Sequence, residues 1–345
     1  MGNPGRVSGG FSARQLAPRG RVSISSPSVG HIALGRRAVG LVNQGRPQEA
    51  EEIYRKIIAT GEGDYAVCGN LAAICGADGR LDEAVDLLRH ALELSPDCPL
   101  AYANFGNVLK ARGDLGAAIS CYKKALTLKW ECPEIHYNLG NALKARADLH
   151  AAISSYRKAL ELKPSYPEAH SNLGNALHEQ GDLPAAIASY NKALELKPSY
   201  PEAHNNLGNA LHEQGDLPAA IASYSKVLEL KPGHPEARYN LGNSLHEQGD
   251  FLGAIASYNK ALELKPGYPD PKWNSALSML LVGDYQSGWE RYEWRFQAKA
   301  GRGILHAQPQ CAQWNGSGLK ANDELLLVSE QGLGDTLQFM RYALA

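Results

Sequence analysis

The 345-residue sequence has no apolar run of about 18 or more residues, the minimum for a membrane-spanning helix, so no span is expected. It also lacks an excess of either charge. With 35 basic and 36 acidic residues the formal net charge is −1, which leaves no field to gather nucleic acid or an anionic membrane. The six cysteines, Cys68, Cys75, Cys98, Cys121, Cys132 and Cys311, form no CxxC pair and have no His-x-x-x-His companion. Small buried side chains in a reducing, cytoplasmic setting are expected, with no metal site and no disulfide. Residues 1–30 contain no acidic residue and no apolar core, which argues against a secretory signal and for a disordered N-terminal tail. Met1-Gly2 would suit myristoylation, but Arg6 stands where Ser or Thr is required.

What is present is repetition. Pro167–Tyr200 and Pro201–His234 differ at only five of 34 positions, and the same period runs from His31 to about Ala300. A fixed period of this length predicts stacked units, each burying its apolar face against its neighbours. Within Pro167–Tyr200, Pro167 suits a first helical turn, and Ala169, Leu173, Ala176 and Leu177 make one apolar stripe. Gly181 is placed to end that helix, and Asp182 with Pro184 to open a second, which Pro198 stops. Gly174 and Ala186 recur in the other copies as small residues where two helix axes would meet.

With small residue, Gly, Ala, Tyr, Ala and Pro at these offsets, the pattern is identified as that of the tetratricopeptide repeat. The resemblance implies an all-α fold, a right-handed superhelix of helix-turn-helix repeats. Seven repeats are expected over residues 31–268, and a degenerate capping repeat over 269–302 with Trp289, Tyr292, Trp294 and Phe296. Departures are few: Ala38 replaces the first glycine, Trp130 a proline and Ala147 a turn glycine.

In that family the first helix of each repeat lines the concave face. Asn70, Asn104, Asn138, Asn172, Asn206, Asn240 and Asn274 share one register position there. Asn107, Asn141, Asn175, Asn209 and Asn243 lie three residues further on, and so on the same helix face. Each carboxamide offers an acceptor and two donors, which suits the main chain of an extended peptide. The double row resembles the asparagine ladder of protein O-linked N-acetylglucosamine transferases, and implies a protein or peptide partner in the groove. A single Asn before Leu-Gly is equally well a plain part of the repeat. His178, His212 and His246 also recur, but one full helix pair apart, too far for one ion. Ala103, Tyr137 and Ser171 stand where a chaperone-type carboxylate clamp would place a basic residue.

Composition changes near Gly301. Residues 303–322 read as a linker and 323–345 as the start of a truncated Rossmann-like domain: Glu324–Ser329 a strand, Glu330–Asp335 a turn, Asp335–Leu344 a helix. Leu337 replaces the third glycine of a dinucleotide fingerprint, and no Gly-Lys-Ser/Thr is present. The run Glu330–Tyr342, together with Gly283–Arg295 and Trp314-Asn-Gly, resembles the opening of two-domain glycosyltransferases that follow bacterial tetratricopeptide arrays. The resemblance to heptosyltransferases makes Asp335 a candidate general base, with Gly332 and Gly334 letting substrate approach the backbone. A helix N-cap is the other role open to Asp335. No cofactor is expected in this chain; a nucleotide sugar donor would belong to the full-length protein. The expected function is a protein-interaction scaffold, the acceptor-recognition arm of a glycosyltransferase and not itself catalytically competent. The alternative is a pure assembly scaffold without enzymatic activity.

Overall fold

The computed structural model describes residues 29–128, 132–292, 294 and 297. Sixteen helices follow one another, and there is no strand among the described residues. They are α1 Val29–Asn43, α2 Pro47–Ala59, α3 Tyr65–Ala77, α4 Leu81–Leu94, α5 Pro99–Arg112, α6 Leu115–Thr127, α7 Pro133–Ala145 and α8 Leu149–Leu162. Then come α9 Pro167–Gln180, α10 Leu183–Leu196, α11 Pro201–Gln214, α12 Leu217–Leu230, α13 Pro235–Gln248, α14 Phe251–Leu264, α15 Pro269–Leu281 and α16 Tyr285–Tyr292. Odd-numbered helices are the first, and even-numbered helices the second, of each repeat.

The boundaries follow local chemistry. From α5 on, each odd-numbered helix opens on its proline, where the missing N–H costs nothing. Asp148, Asp182 and Asp216 cap the following helices by accepting from the backbone N–H three residues on, at 3.2–3.3 Å. Between the paired helices the chain turns through the left-handed region, with Gly181 at φ 89°. Ala147 holds the same place in the fourth repeat at φ 63°, the only non-glycine at positive φ among the described residues.

Packing within a pair rests on one contact. The ring of Tyr190 on α10 lies against the Cα of Gly174 on α9; a methyl group there would stand 2.6 Å from Cε1. Tyr122 on Gly106, Tyr156 on Gly140, Tyr224 on Gly208 and Tyr258 on Gly242 repeat it, and all five rings are at most 2% exposed. Ala118, Ala152, Ala186, Ala220 and Ala254, fully buried, keep the other side of the crossing thin. In the second repeat the pattern changes as a set: Ala72 replaces glycine and Leu88 replaces tyrosine.

Packing divides the chain into two compact units, one up to Ala203 and one from His204. In the first unit α3 touches α5, α5 touches α7 and α7 touches α9; in the second, α13 touches α15. The first helices are thus the crowded, inner row of each unit. The second helices carry exposed Lys–Glu pairs such as Lys158–Glu161 (2.8 Å) and Lys260–Glu263 (2.9 Å), solvated contacts that add little stability. The last pair is shorter: α16 has eight residues, and Tyr285 and Trp289 are about 60% exposed. Trp294 is covered on one face by Lys272, whose Nζ stands 3.6 Å from the ring centre. Residues 1–28 of the expected tail, the linker and the Rossmann-like segment lie outside the described residues, as do Gly332, Gly334 and Asp335, whereas Val29 and Gly30, expected in the tail, open α1.

Two substitutions should move stability in opposite directions. Ala147→Gly removes a left-handed alanine and should stabilise by about 0.5–1 kcal/mol. Gly174→Ala gains about 1 kcal/mol of helix propensity but overpacks the Tyr190 ring by about 1–3 kcal/mol, so a net loss is expected. Urea unfolding of both variants beside the parent protein measures the signs; a stabilised Gly174→Ala would refute the packing account.

Candidate functional site

The asparagine rows lie on the inner helices, and the structure shows what orients them. Tyr156 Oη donates to Asn141 Oδ1 at 2.8 Å, from a ring buried between α7 and α8. The same bond joins Tyr122 to Asn107 (2.7 Å), Tyr190 to Asn175 (2.8 Å), Tyr224 to Asn209 (2.8 Å) and Tyr258 to Asn243 (2.9 Å). The two rows are also joined to each other. Asn172 Nδ2 donates to Asn141 Oδ1 at 2.8 Å, Asn240 to Asn209 at 3.1 Å and Asn274 to Asn243 at 2.9 Å. The oxygens of Asn141, Asn209 and Asn243 therefore each accept from a tyrosine of their own repeat and from an asparagine of the next.

Burial drives the phenols of Tyr122, Tyr156, Tyr224 and Tyr258 upward in pKa, so these four remain protonated donors at any physiological pH. Tyr137 and Tyr239 extend two of these clusters. Asn172 and Asn274 donate to their hydroxyls at 3.0 and 3.3 Å, and their rings lie 5.0 Å from Tyr166 and 5.4 Å from Tyr268. Lys163, Lys197 and Lys265 cover Tyr166, Tyr200 and Tyr268 at 4.4, 4.4 and 4.7 Å.

The internal use of the second row is what pattern reasoning on the asparagines alone missed. The signal was available: a tyrosine stands fifteen residues after each second-row asparagine. Where Leu88 replaces the tyrosine, Ala73 replaces the asparagine. In the first repeat Val39 stands there, and the Tyr54 hydroxyl, with no asparagine in its own repeat, is left to Asn70 of the next. Asn70 is buried, at 7% exposure, and Asn104, Asn138 and Asn206 are half-buried on the same register. Among the described residues, Oδ1 of Asn172, Asn240 and Asn274 accepts no hydrogen bond.

Other chemistry is sparse. Burial pushes the thiols of Cys68, Cys121 and Cys132 up to about 11, so they are not thiolates at neutral pH. Among the described residues no group of three His, Cys, Asp or Glu could hold a metal ion, and no helix is long and apolar enough to cross a membrane. A cleft of about 610 Å³ is lined mainly by α8, with Ile153, Arg157 and Glu161, together with Leu126 of α6, Leu139 of α7 and Leu177 of α9. No asparagine lines it.

The tyrosine–asparagine coupling is measurable. Asn141→Ala strands a buried phenol and removes the Asn172 acceptor, so about 1–3 kcal/mol should be lost. Tyr156→Phe leaves Asn141 its second donor and should cost about 1 kcal/mol. The double variant should lose less than the sum; strict additivity in a double-mutant cycle would show the bond to be energetically idle.

Comparison with known proteins agrees with this architecture. A family model described as TPR repeat matches residues 106–146, 140–181, 174–215 and 208–249. Two models described as tetratricopeptide repeat match residues 235–268 and 41–105. No curated protein gives a significant match. Among solved structures, YrrB, described as a TPR protein with an unusual peptide-binding site, is 24% identical over 58% of this chain and 99% of its own, with a TM-score of 0.49. MamA is 29% identical over 47% of this chain and 94% of its own, with a TM-score of 0.45. The C-terminal part of a TPR repeat-containing protein from Cytophaga hutchinsonii is 20% identical, covers 67% of this chain and 95% of its own, and has a TM-score of 0.55. That last likeness is one of fold alone. Continuous from residue 41 to residue 268, the repeats place the chain in the tetratricopeptide-repeat family.

Proposed function

We propose that this protein is an interaction scaffold whose inner face holds an extended polypeptide by its main chain. The observation that carries the proposal is the three carboxamide oxygens of Asn172, Asn240 and Asn274, which accept no hydrogen bond among the described residues and are held in place by their own Nδ2 bonds. An amide already fixed on one side loses little entropy when its other side meets a ligand. Peptide N–H groups are the matching donors, and main-chain recognition makes few demands on sequence. Packed helices stand about 8–10 Å apart and an extended chain advances about 3.3–3.6 Å per residue, so roughly every third peptide residue would meet an asparagine.

The partner is thus a protein or peptide in the groove; neither nucleic acid nor membrane is invoked. Substituting Asn138, Asn172 and Asn206 together by Ala should weaken binding of an unfolded polypeptide about tenfold or more, at one hydrogen bond per position. Far-ultraviolet circular dichroism of the variant serves as the folding control. Unchanged affinity in a folded variant would remove the ladder from the function.

We propose further that the array presents acceptors to a glycosyltransferase. This rests on the resemblance of residues 283–295, 314–316 and 330–342 to the region behind bacterial arrays, with Asp335 as base, Gly332 and Gly334 beside the substrate, and a nucleotide sugar as donor. Polypeptides captured by the array in cells should then be enriched in sugar-bearing peptides by mass spectrometry. Absence of enrichment would favour a pure assembly scaffold.

A further inference from the structure

One register position on the inner helices, three residues beyond the second asparagine row, is occupied by Lys110, Lys144, His178, His212 and His246. After Lys144 and His212 the following repeat answers it with a carboxylate 35 residues later, whereas Leu281 stands at that spacing from His246, whose ring bonds Ser278 Oγ at 2.8 Å. Glu179 Oε1 lies 2.7 Å from Lys144 Nζ, and Glu247 Oε1 lies 3.2 Å from His212 Nε2. For Lys110 the corresponding residue is Ala145. Its ammonium has no ion pair or hydrogen bond among the described residues, although the side chain is half-buried at the end of α5. Burial alone lowers its pKa, and no carboxylate opposes that shift. Nearby Arg112, by contrast, is satisfied by Asp114 and Asp82.

A half-buried, unanswered cation is costly unless a ligand supplies the counter-charge. Lys110 stands one helical turn past Asn107, on the stripe that the proposed peptide follows. We infer that Lys110 receives a carboxylate side chain of the bound polypeptide, in the place that Glu179 fills for Lys144, and so selects acidic segments. A single ammonium matches a single carboxylate, the group that the protein itself supplies at Lys144 and His212. The inference rests on the polypeptide-binding proposal and adds a sequence preference to recognition that is otherwise main-chain only.

The test uses the full chain and two synthetic Ser/Gly/Ala peptides of about 15 residues, about 50 Å when extended, one with a central Glu and one with Gln. By calorimetry at low salt the Glu peptide should bind about three- to tenfold more tightly. Lys110→Met should abolish the difference and leave the Gln peptide unaffected. Ala145→Glu, which restores the internal partner without removing the lysine, should do the same. Equal binding of both peptides by the parent protein, or a preference surviving in either variant, would overturn the inference while leaving main-chain recognition intact. If neither peptide binds, main-chain recognition fails and the inference falls with it.

Discussion

A tyrosine ring laid flat on a glycine is the contact from which the rest of this protein follows. In the third to seventh repeats the second helix approaches the first closely because the first presents no side chain at that point. The ring fills the gap, and its hydroxyl emerges on the far side, where an asparagine accepts it. One side chain thereby serves twice, as core filler and as polar lock. Dry packing alone would leave a buried phenol poorly satisfied: at Tyr54, where that asparagine is missing, the hydroxyl makes no well-aligned hydrogen bond.

The lock passes its order to the next repeat. An asparagine whose oxygen is held by tyrosine offers a second lone pair, and the following repeat supplies the donor. Amides thus join α7 to α9 in the first unit, and α11 to α13 and α13 to α15 in the second. Fixing a receptor side chain in advance reduces the entropy lost on binding.

Where the copies differ is as informative as where they agree. Ala72, Ala73 and Leu88 change as a set, so the second repeat closes by apolar contact alone. Ala145 is a different kind of departure, since it removes one member of a charge pair and leaves Lys110 in place. An array of uniform copies would bind uniformly along its length. Departures of the second kind are where preference for particular side chains can arise.

Sequence by itself determined the helix pairs, their caps and their small-residue crossings. Those depend on local preferences and on a period that any copy displays, and Asp182, Gly181 and Pro167 act on their own neighbours. It also marked the two asparagine rows, because residues three apart on a helix share a face. Tertiary structure decided which amide atoms are already engaged, that Tyr156 binds Asn141 while Asn172 bridges to it, and that Lys110 has lost its partner. Those facts join residues 15 to 35 positions apart in different helices, and their hydrogen bonds depend on distances that only the packed rings and helix axes set.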